Sequence, residues 1–232
     1  MTDLTRLAII PGLIIIVYIY GKDKVEKEPV GLILRLVLFG VISCFPAMYM
    51  EAYMEAILPQ YQNGSVMYAA TTGFLVAGMC EELVKLLALR LGSWKHPSFN
   101  YRFDGIVYGV STAVGFAIYE NINYVMMYGA SVAISRAFTA VPVHAFCGAV
   151  MGILYSYAKK ASIDGRSGAS ICYTIMAYLI PLFIHGMYDM FAMIKSSVSV
   201  MMLYALLIFL YITVTKMVNK MSREDIQGGF YG

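Results

Sequence analysis

Leu203-Tyr204-Ala205-Leu206-Leu207-Ile208-Phe209-Leu210-Tyr211-Ile212-Thr213-Val214 is apolar on every face apart from Thr213. A strand of a membrane barrel alternates apolar and polar side chains over about 10 residues. An unbroken run has no polar face to turn toward water or a lumen, so it reads as a helix surrounded by lipid. The same run extends over 197–218, about the 20 residues that a helix rising 1.5 Å per residue needs to cross roughly 30 Å of hydrocarbon. The rest of the chain agrees: 60% of its 232 residues are hydrophobic and the mean hydropathy is +0.70, more than one soluble core requires.

Six further segments carry the same signature, at 4–20, 30–57, 70–91, 105–128, 136–158 and 169–194. The fold expected is therefore all-α, a polytopic transmembrane bundle of seven helices, with residues 1–232 forming a single membrane domain. Residues 219–232 are expected to be a short cytoplasmic tail, disordered after Met221. Leu7 to Tyr20 has no small-residue cleavage site before the charged Lys22 to Glu28, and is taken as a retained first helix rather than a signal peptide. The chain shows no internal repeat and no Pro-rich linker.

Basic residues alternate between the connections. Lys22, Lys24 and Lys27 lie in the first, Arg90, Lys95 and Arg102 around the third, Lys159, Lys160 and Arg166 in the fifth, and Lys216, Lys220 and Arg223 at the end. The second has none, and the fourth and sixth have only Arg136 and Lys195. The positive-inside rule then places the N-terminus outside and the C-terminus in the cytoplasm. A net charge of +3, dispersed in this way, excludes a nucleic-acid partner and is explained by topology. Cys44, Cys80, Cys147 and Cys172 fall in apolar segments without metal or CxxC spacing, and read as small buried hydrophobes.

Ionisable groups inside such helices cost at least a few kcal/mol each, so their positions are informative. Arg35 is placed to snorkel to the interface, Glu51 and Glu55 sit near an outer helix end where water is close, and His96 lies in a polar loop. Four clusters remain. In Glu81-Glu82-Leu83-Val84-Lys85 the lysine is one turn from both carboxylates, so it can pair with one and leave the other as a general base for water. The alternative is a buried ion pair between helices. Glu120-Asn121 is either a hydrogen-bonding tie to a neighbouring helix or part of a site. His144 follows Pro142, which is expected to break the helical ladder and free a carbonyl near the ring. His185 and Asp189 share a face at i, i+4, where the carboxylate fixes the ring's tautomer, as in active sites and metal sites or as in a polar tie. At 1.5 Å per residue, His144 and Glu81 each lie about 12 Å from the outer ends of their helices. Glu120 and His185 also fall in the outer half, so the four clusters are expected to line one hydrated cavity that opens to the exterior. Gly105, Gly109, Gly148 and Gly152 have the small-xxx-small spacing of close helix contacts. Buried carboxylates and histidines also build proton relays, so a proton-coupled transporter competes with an enzyme, and a noncatalytic membrane scaffold is a third reading.

Glu81-Glu82-x-x-Lys85, Asp104-Gly105-Ile106-Val107-Tyr108-Gly109 leading to Phe116-x-x-x-Glu120-Asn121, His144, and His185-Gly186-x-Tyr188-Asp189 together resemble the bacterial PrsW protease family. The likeness extends to Pro11-Gly12, to Lys22-Asp23 through Glu28-Pro29, and to Phe45-Pro46. More distantly it is similar to the CAAX-prenyl endopeptidases, whose helices also carry a double-glutamate motif. The resemblance implies an intramembrane protease of the bacterial cell membrane that makes the site-one, extracytoplasmic cut in a membrane-spanning anti-sigma factor, which would be its partner along with the bilayer. Glu81 and Glu82 match the family's essential pair and His185 its motif histidine, while Glu120, His144 and Asp189 match other motif positions. The catalytic set expected is thus Glu81, Glu82, Lys85, Glu120, Asn121, His144, His185 and Asp189. Lys85 beside the glutamates opposes a divalent cation, and no HExxH helix is present, so a metal-free glutamate mechanism is expected. Zinc is the alternative, with Glu82, His144 and His185 as its ligands.

Overall fold

The computed structural model describes residues 3–194, 196–225 and 229–230. The helices in order are α1 (Asp3–Lys22), α2 (Val30–Ile57), α3 (Val66–Ala70), a π-helical segment (Thr71–Gly78), α4 (Met79–Ser93), α5 (Arg102–Tyr128), α6 (Ala130–Phe138), α7 (Ala140–Ile163), α8 (Ser167–Met193) and α9 (Ser197–Glu224). The described residues contain no strand. All seven expected spans fall on helix, and five stretches are long and apolar enough to cross a bilayer: Leu4–Lys22, Val30–Ile57, Ala130–Ile163, Ser167–Met193 and Ser197–Glu224. The third and fourth expected spans fall outside that set. The third carries Glu81, Glu82 and Lys85 and is interrupted by the π-helical segment, and the fourth, α5, is the centre of the bundle.

Every side chain from Phe103 to Ile118 is buried, so this stretch of α5 has no lipid face and no need of an apolar stripe, whereas Met126, Met127 and Tyr128 at its far end are exposed. It packs against α7, α2 and α1. Its hydroxyls are satisfied within the helix, Ser111 donating to the Val107 carbonyl at 2.7 Å and Thr112 to that of Tyr108 at 2.9 Å. Lipid contacts α5 sheds are taken up outside, where Leu34, Leu38 and Tyr49 of α2 and Tyr204, Ile208 and Phe209 of α9 point away from the bundle.

Backbones touch where α5 crosses α7. A Cβ on Gly152 would stand 2.0 Å from the Gly105 carbonyl oxygen, and one on Gly109 would stand 2.2 Å from that of Gly148. The two small-residue pairs predicted from spacing are therefore a real, antiparallel contact. The crossing of α2 and α5 is built in the same way at Gly40, where a Cβ would meet the Thr112 carbonyl oxygen at 2.0 Å.

Four expectations are corrected. The fifth span does not begin at 136, because Thr139 separates α6 from α7. Pro142 consequently sits in the first turn of α7, where its missing N–H has no helical acceptor, so it starts a helix rather than breaking one. The chain after Met221 is not disordered where it is described. The helix α9 continues to Glu224, and Asp225 accepts from the Arg102 and Phe103 amides at 3.0 and 3.3 Å, capping α5. Phe230 is buried edge-on against Phe99, 5.6 Å between ring centroids, and its carbonyl accepts from Lys160. An aromatic anchor in a polar tail is what the composition concealed. Of the cysteines, all free, Cys44, Cys80 and Cys147 are buried as expected, whereas Cys172 is exposed on α8. Lys195 lies outside the described residues.

The basic connections gather at one end of the bundle. Lys159 reaches the Trp94 carbonyl at 2.8 Å, Asn100 reaches Glu26 at 3.0 Å, and Ser222 donates to the Lys22 carbonyl at 2.5 Å. At the same end the Arg35 guanidinium donates to the Gly92 carbonyl, the interfacial position expected of it.

Candidate active site

The π-helical segment positions the glutamate pair. Gly73 and Gly78 let it lie directly on α8, where Cβ atoms would meet the Gly186 and Leu182 carbonyl oxygens at 2.7 and 3.0 Å. Gly186, next to His185, in turn receives the Phe74 ring, to which a Cβ there would approach within 2.5 Å. Small residues on both sides thus bring the start of α4 against the middle of α8. A π-helical turn within a longer helix is a recurrent feature of functional sites.

Lys85 is the hub of a polar network between these helices. Its Nζ donates to Glu81 Oε2, Glu82 Oε1 and His144 Nδ1, each at 2.9 Å, and lies 4.1 Å from the centroid of the Phe116 ring. An ammonium can only donate, so His144 Nδ1 accepts and the ring proton sits on Nε2, which donates to Glu120 Oε2 at 2.9 Å. Glu120 also receives Arg136 Nη2 at 2.7 Å. His185 faces carboxylates through both nitrogens, Nδ1 2.8 Å from Glu82 Oε1 and Nε2 3.3 Å from Asp189 Oδ2. The two imidazoles meet edge to face with centroids 4.9 Å apart.

Seven of the eight expected residues therefore join one connected network. The eighth, Asn121, joins it only through Arg136, whose Nε donates to its Oδ1 at 3.0 Å, while its Nδ2 donates to the Ala8 carbonyl at 2.9 Å. It ties α1 to α5 and steadies Arg136. The two adjacent glutamates also differ. Glu82 is fully buried, whereas Glu81 is 5% exposed and lines a cavity of about 290 Å³ with Glu51, Phe116, Glu120, Arg136 and Asp189. A larger apolar cleft, about 450 Å³ between α1, α7 and α9, is lined by no carboxylate or imidazole.

Two members of the site were missed in the sequence. Arg136 looked like a solitary loop charge, yet it pairs with Glu120 and stacks 4.0 Å from the Tyr124 centroid. Its signal was a single cation on the apolar helix α6. Glu51 was set aside as interfacial, although Cys44, Ala47, Met48, Glu51 and Glu55 follow one helical face and all line the cavity.

One ligand atom each from Glu81, Glu82, His144 and His185 lies within 4.8 Å of the others. Glu82 Oε2 is buried without a hydrogen-bond partner, as an oxygen awaiting a cation would be. Two imidazoles and two carboxylates are the donor types of a catalytic zinc. The residues fit such an ion, but Lys85 Nζ stands among the same atoms, so ammonium and metal compete for one place.

The profile of the family described as "PrsW family intramembrane metalloprotease" matches residues 28–215. A "Protease PrsW" of Geobacillus kaustophilus is 35% identical over 195 residues, 84% of this chain and 82% of that protein. One of Bacillus subtilis is 33% identical over 181 residues, 78% of each. One of Clostridioides difficile is 32% identical over 217 residues, 90% of this chain and 87% of that protein. No solved structure matches the chain. A polar network of four motifs inside a lipid-facing helical bundle, together with matches that span most of the sequence, makes this chain a member of the PrsW family and an intramembrane protease.

Proposed function

We propose that the protein makes the site-one cut in a membrane-spanning anti-sigma factor on the outer side of the bacterial cell membrane, with Glu81 activating the attacking water. The observation that carries this reading is that Glu81 reaches the cavity, while Glu82, which shares Lys85 with it, is fully buried against His185. In the reaction, Glu81 takes a proton from water and the oxygen adds to the scissile carbonyl. The Nε2–H of His185, aimed by Glu82 at Nδ1 and by Asp189, donates to the oxyanion as it forms. Glu81 then passes its proton to the departing amine as the C–N bond breaks. Lys85 keeps the adjacent carboxylates from repelling each other, and Glu120 with Arg136 orients His144. These are positioning residues.

The zinc alternative is supported by the four-residue donor cluster. Glu82, His144 and His185 would hold the ion, and a zinc ion there supplies Lewis-acid activation of water. Under either chemistry Glu81 remains at the cavity as the proton acceptor.

Orientation belongs to the same proposal. The gathering of connections one, three and five with the tail at one end agrees with the positive-inside reading, N-terminus outside and C-terminus in the cytoplasm. The opposite end, toward which Glu51, Glu55 and Thr72 extend the cavity, is then extracytoplasmic.

The test is incubation of the purified protein in detergent with a panel of candidate anti-sigma factors, cleavage being read by mass. Wild type should cut one of them, and Glu81→Gln should cut it about 10²–10⁴-fold more slowly while unfolding at the same temperature. An intact panel, or a Glu81→Gln variant that cleaves at the wild-type rate, overturns the reading.

A further inference from the structure

A second acidic cluster lies far from the candidate active site. Asp23 in the α1–α2 connection, Glu28 at its end and Asp104 in the first turn of α5 are 2%, 2% and 1% exposed, and one oxygen of each lies within 4.8 Å of the others. Asp104 and Glu120 are 16 residues apart on α5, about 24 Å along the axis at 1.5 Å per residue.

Donors satisfy part of this cluster. The Tyr108 hydroxyl donates to Glu28 Oε2, and the Asn100 and Tyr101 amides donate to Asp104 Oδ2 at 2.9 and 2.6 Å. Asp23 Oδ2 is buried with no hydrogen-bond partner, and so is Asn100 Oδ1, on the residue whose amide holds Asp104. Among the described ion pairs none reaches any of the three carboxylates. Lys27, next to Glu28 in sequence, points its Nζ at the main-chain carbonyls of Tyr20 and Asp23 instead. Three buried carboxylates that no cationic side chain among the described residues pairs with, and with oxygen lone pairs left over, are costly unless something positive sits among them.

We propose that Asp23, Glu28 and Asp104 bind a divalent, oxygen-seeking cation of the Mg²⁺ type that pins the α1–α2 connection to the start of α5. Carboxylate oxygens without nitrogen or sulfur donors select a hard ion. This distinguishes the cluster from the imidazole-containing set around Lys85. The bound cation ties α1, α2 and α5 together at the end where Asp225 caps α5, and so supports the helix that carries Glu120.

The test uses the full chain in detergent, washed with chelator. Mn²⁺ serves as the probe, its free signal being followed by electron paramagnetic resonance, and Mg²⁺ as the competitor. Wild type should bind one Mn²⁺ at this site, Mg²⁺ should displace it, and saturating Mg²⁺ should raise the unfolding temperature. Asp23→Asn, and independently Glu28→Gln should the first not fold, should weaken Mn²⁺ binding at least tenfold. A variant with both His144→Ala and His185→Ala should retain it. A wild type that takes up no Mn²⁺ and gains no thermal stability from Mg²⁺ overturns the proposal, and leaves shared protons to hold the three carboxylates together. Binding that survives Asp23→Asn and Glu28→Gln but is lost with the two histidines overturns it as well, by moving the ion to the cluster around Lys85.

Discussion

Replacing Lys85 with Met removes the hub of the active site while keeping its apolar stem. Three hydrogen bonds of 2.9 Å and a contact at 4.1 Å with the Phe116 ring disappear together. Glu81 and Glu82 then face each other with no cation between them, at sites 5% and 0% exposed. Removing one partner of a buried ion pair destabilises by about 3–5 kcal/mol, because an uncompensated charge stays behind. For a chain of this size each kcal/mol is worth about 2–4 °C, so the unfolding temperature in detergent should fall by on the order of 10 °C. Peptidase activity should be lost in parallel, since His144 and both glutamates lose their alignment. The same deletion vacates the place for which a metal competes. Zinc at about 100 times its dissociation constant should restore roughly 2.7 kcal/mol to the variant and much less to wild type. Thermal unfolding with and without zinc, alongside zinc content by mass spectrometry, checks both halves. A Lys85→Met protein that unfolds at the wild-type temperature and cleaves at the wild-type rate refutes the claim that this ammonium organises the site.

Three further outcomes are expected. A Cβ on Gly152 would stand 2.0 Å from the Gly105 carbonyl oxygen, where ordinary contact begins at 3.4 Å, so Gly152→Ala must part α5 from α7 by about the 1.4 Å difference. Overpacking of this kind should lower stability by about 1–3 kcal/mol and slow cleavage through displaced His144, and unchanged thermal unfolding would contradict the close crossing. A reporter fused after Lys220 should register cytoplasm and one placed within Gln60 to Ser65 exterior; the reverse pattern would turn the cavity to the inner face. Wild-type enzyme stripped with chelator should keep its peptidase activity and carry less than one zinc per chain. Loss of activity restored by stoichiometric zinc would instead make His144 and His185 ligands.

Sequence by itself determined that the chain is a helical membrane bundle, because a run such as Leu203 to Val214 has no polar face for any other environment. It also picked out Glu81, Glu82, Glu120, His144, His185 and Asp189, since an ionisable group within an apolar helix stands out by its desolvation cost alone. Close crossing of α5 and α7 was legible from glycine spacing for a similarly local reason. Tertiary structure decided matters that depend on what lies opposite. Glu81 and Glu82 are adjacent and chemically identical, and only the packing of α4 against α8 makes one line the cavity and buries the other against His185. Asn121 was open in the sequence between a tie to a neighbouring helix and a place in the site, and the fold supplies contacts of both kinds, the Ala8 carbonyl of α1 and Arg136 beside Glu120. Arg136 and Glu51 lay where sequence places water, and the fold turned both into the cavity. Pro142 and the tail were misread because a proline's effect depends on where its helix begins, and an anchor such as Phe230 on a receiving surface formed by Phe99, more than a hundred residues earlier in the chain. Local composition records what a residue costs to bury; which partner offsets that cost is settled by contacts between helices remote in sequence.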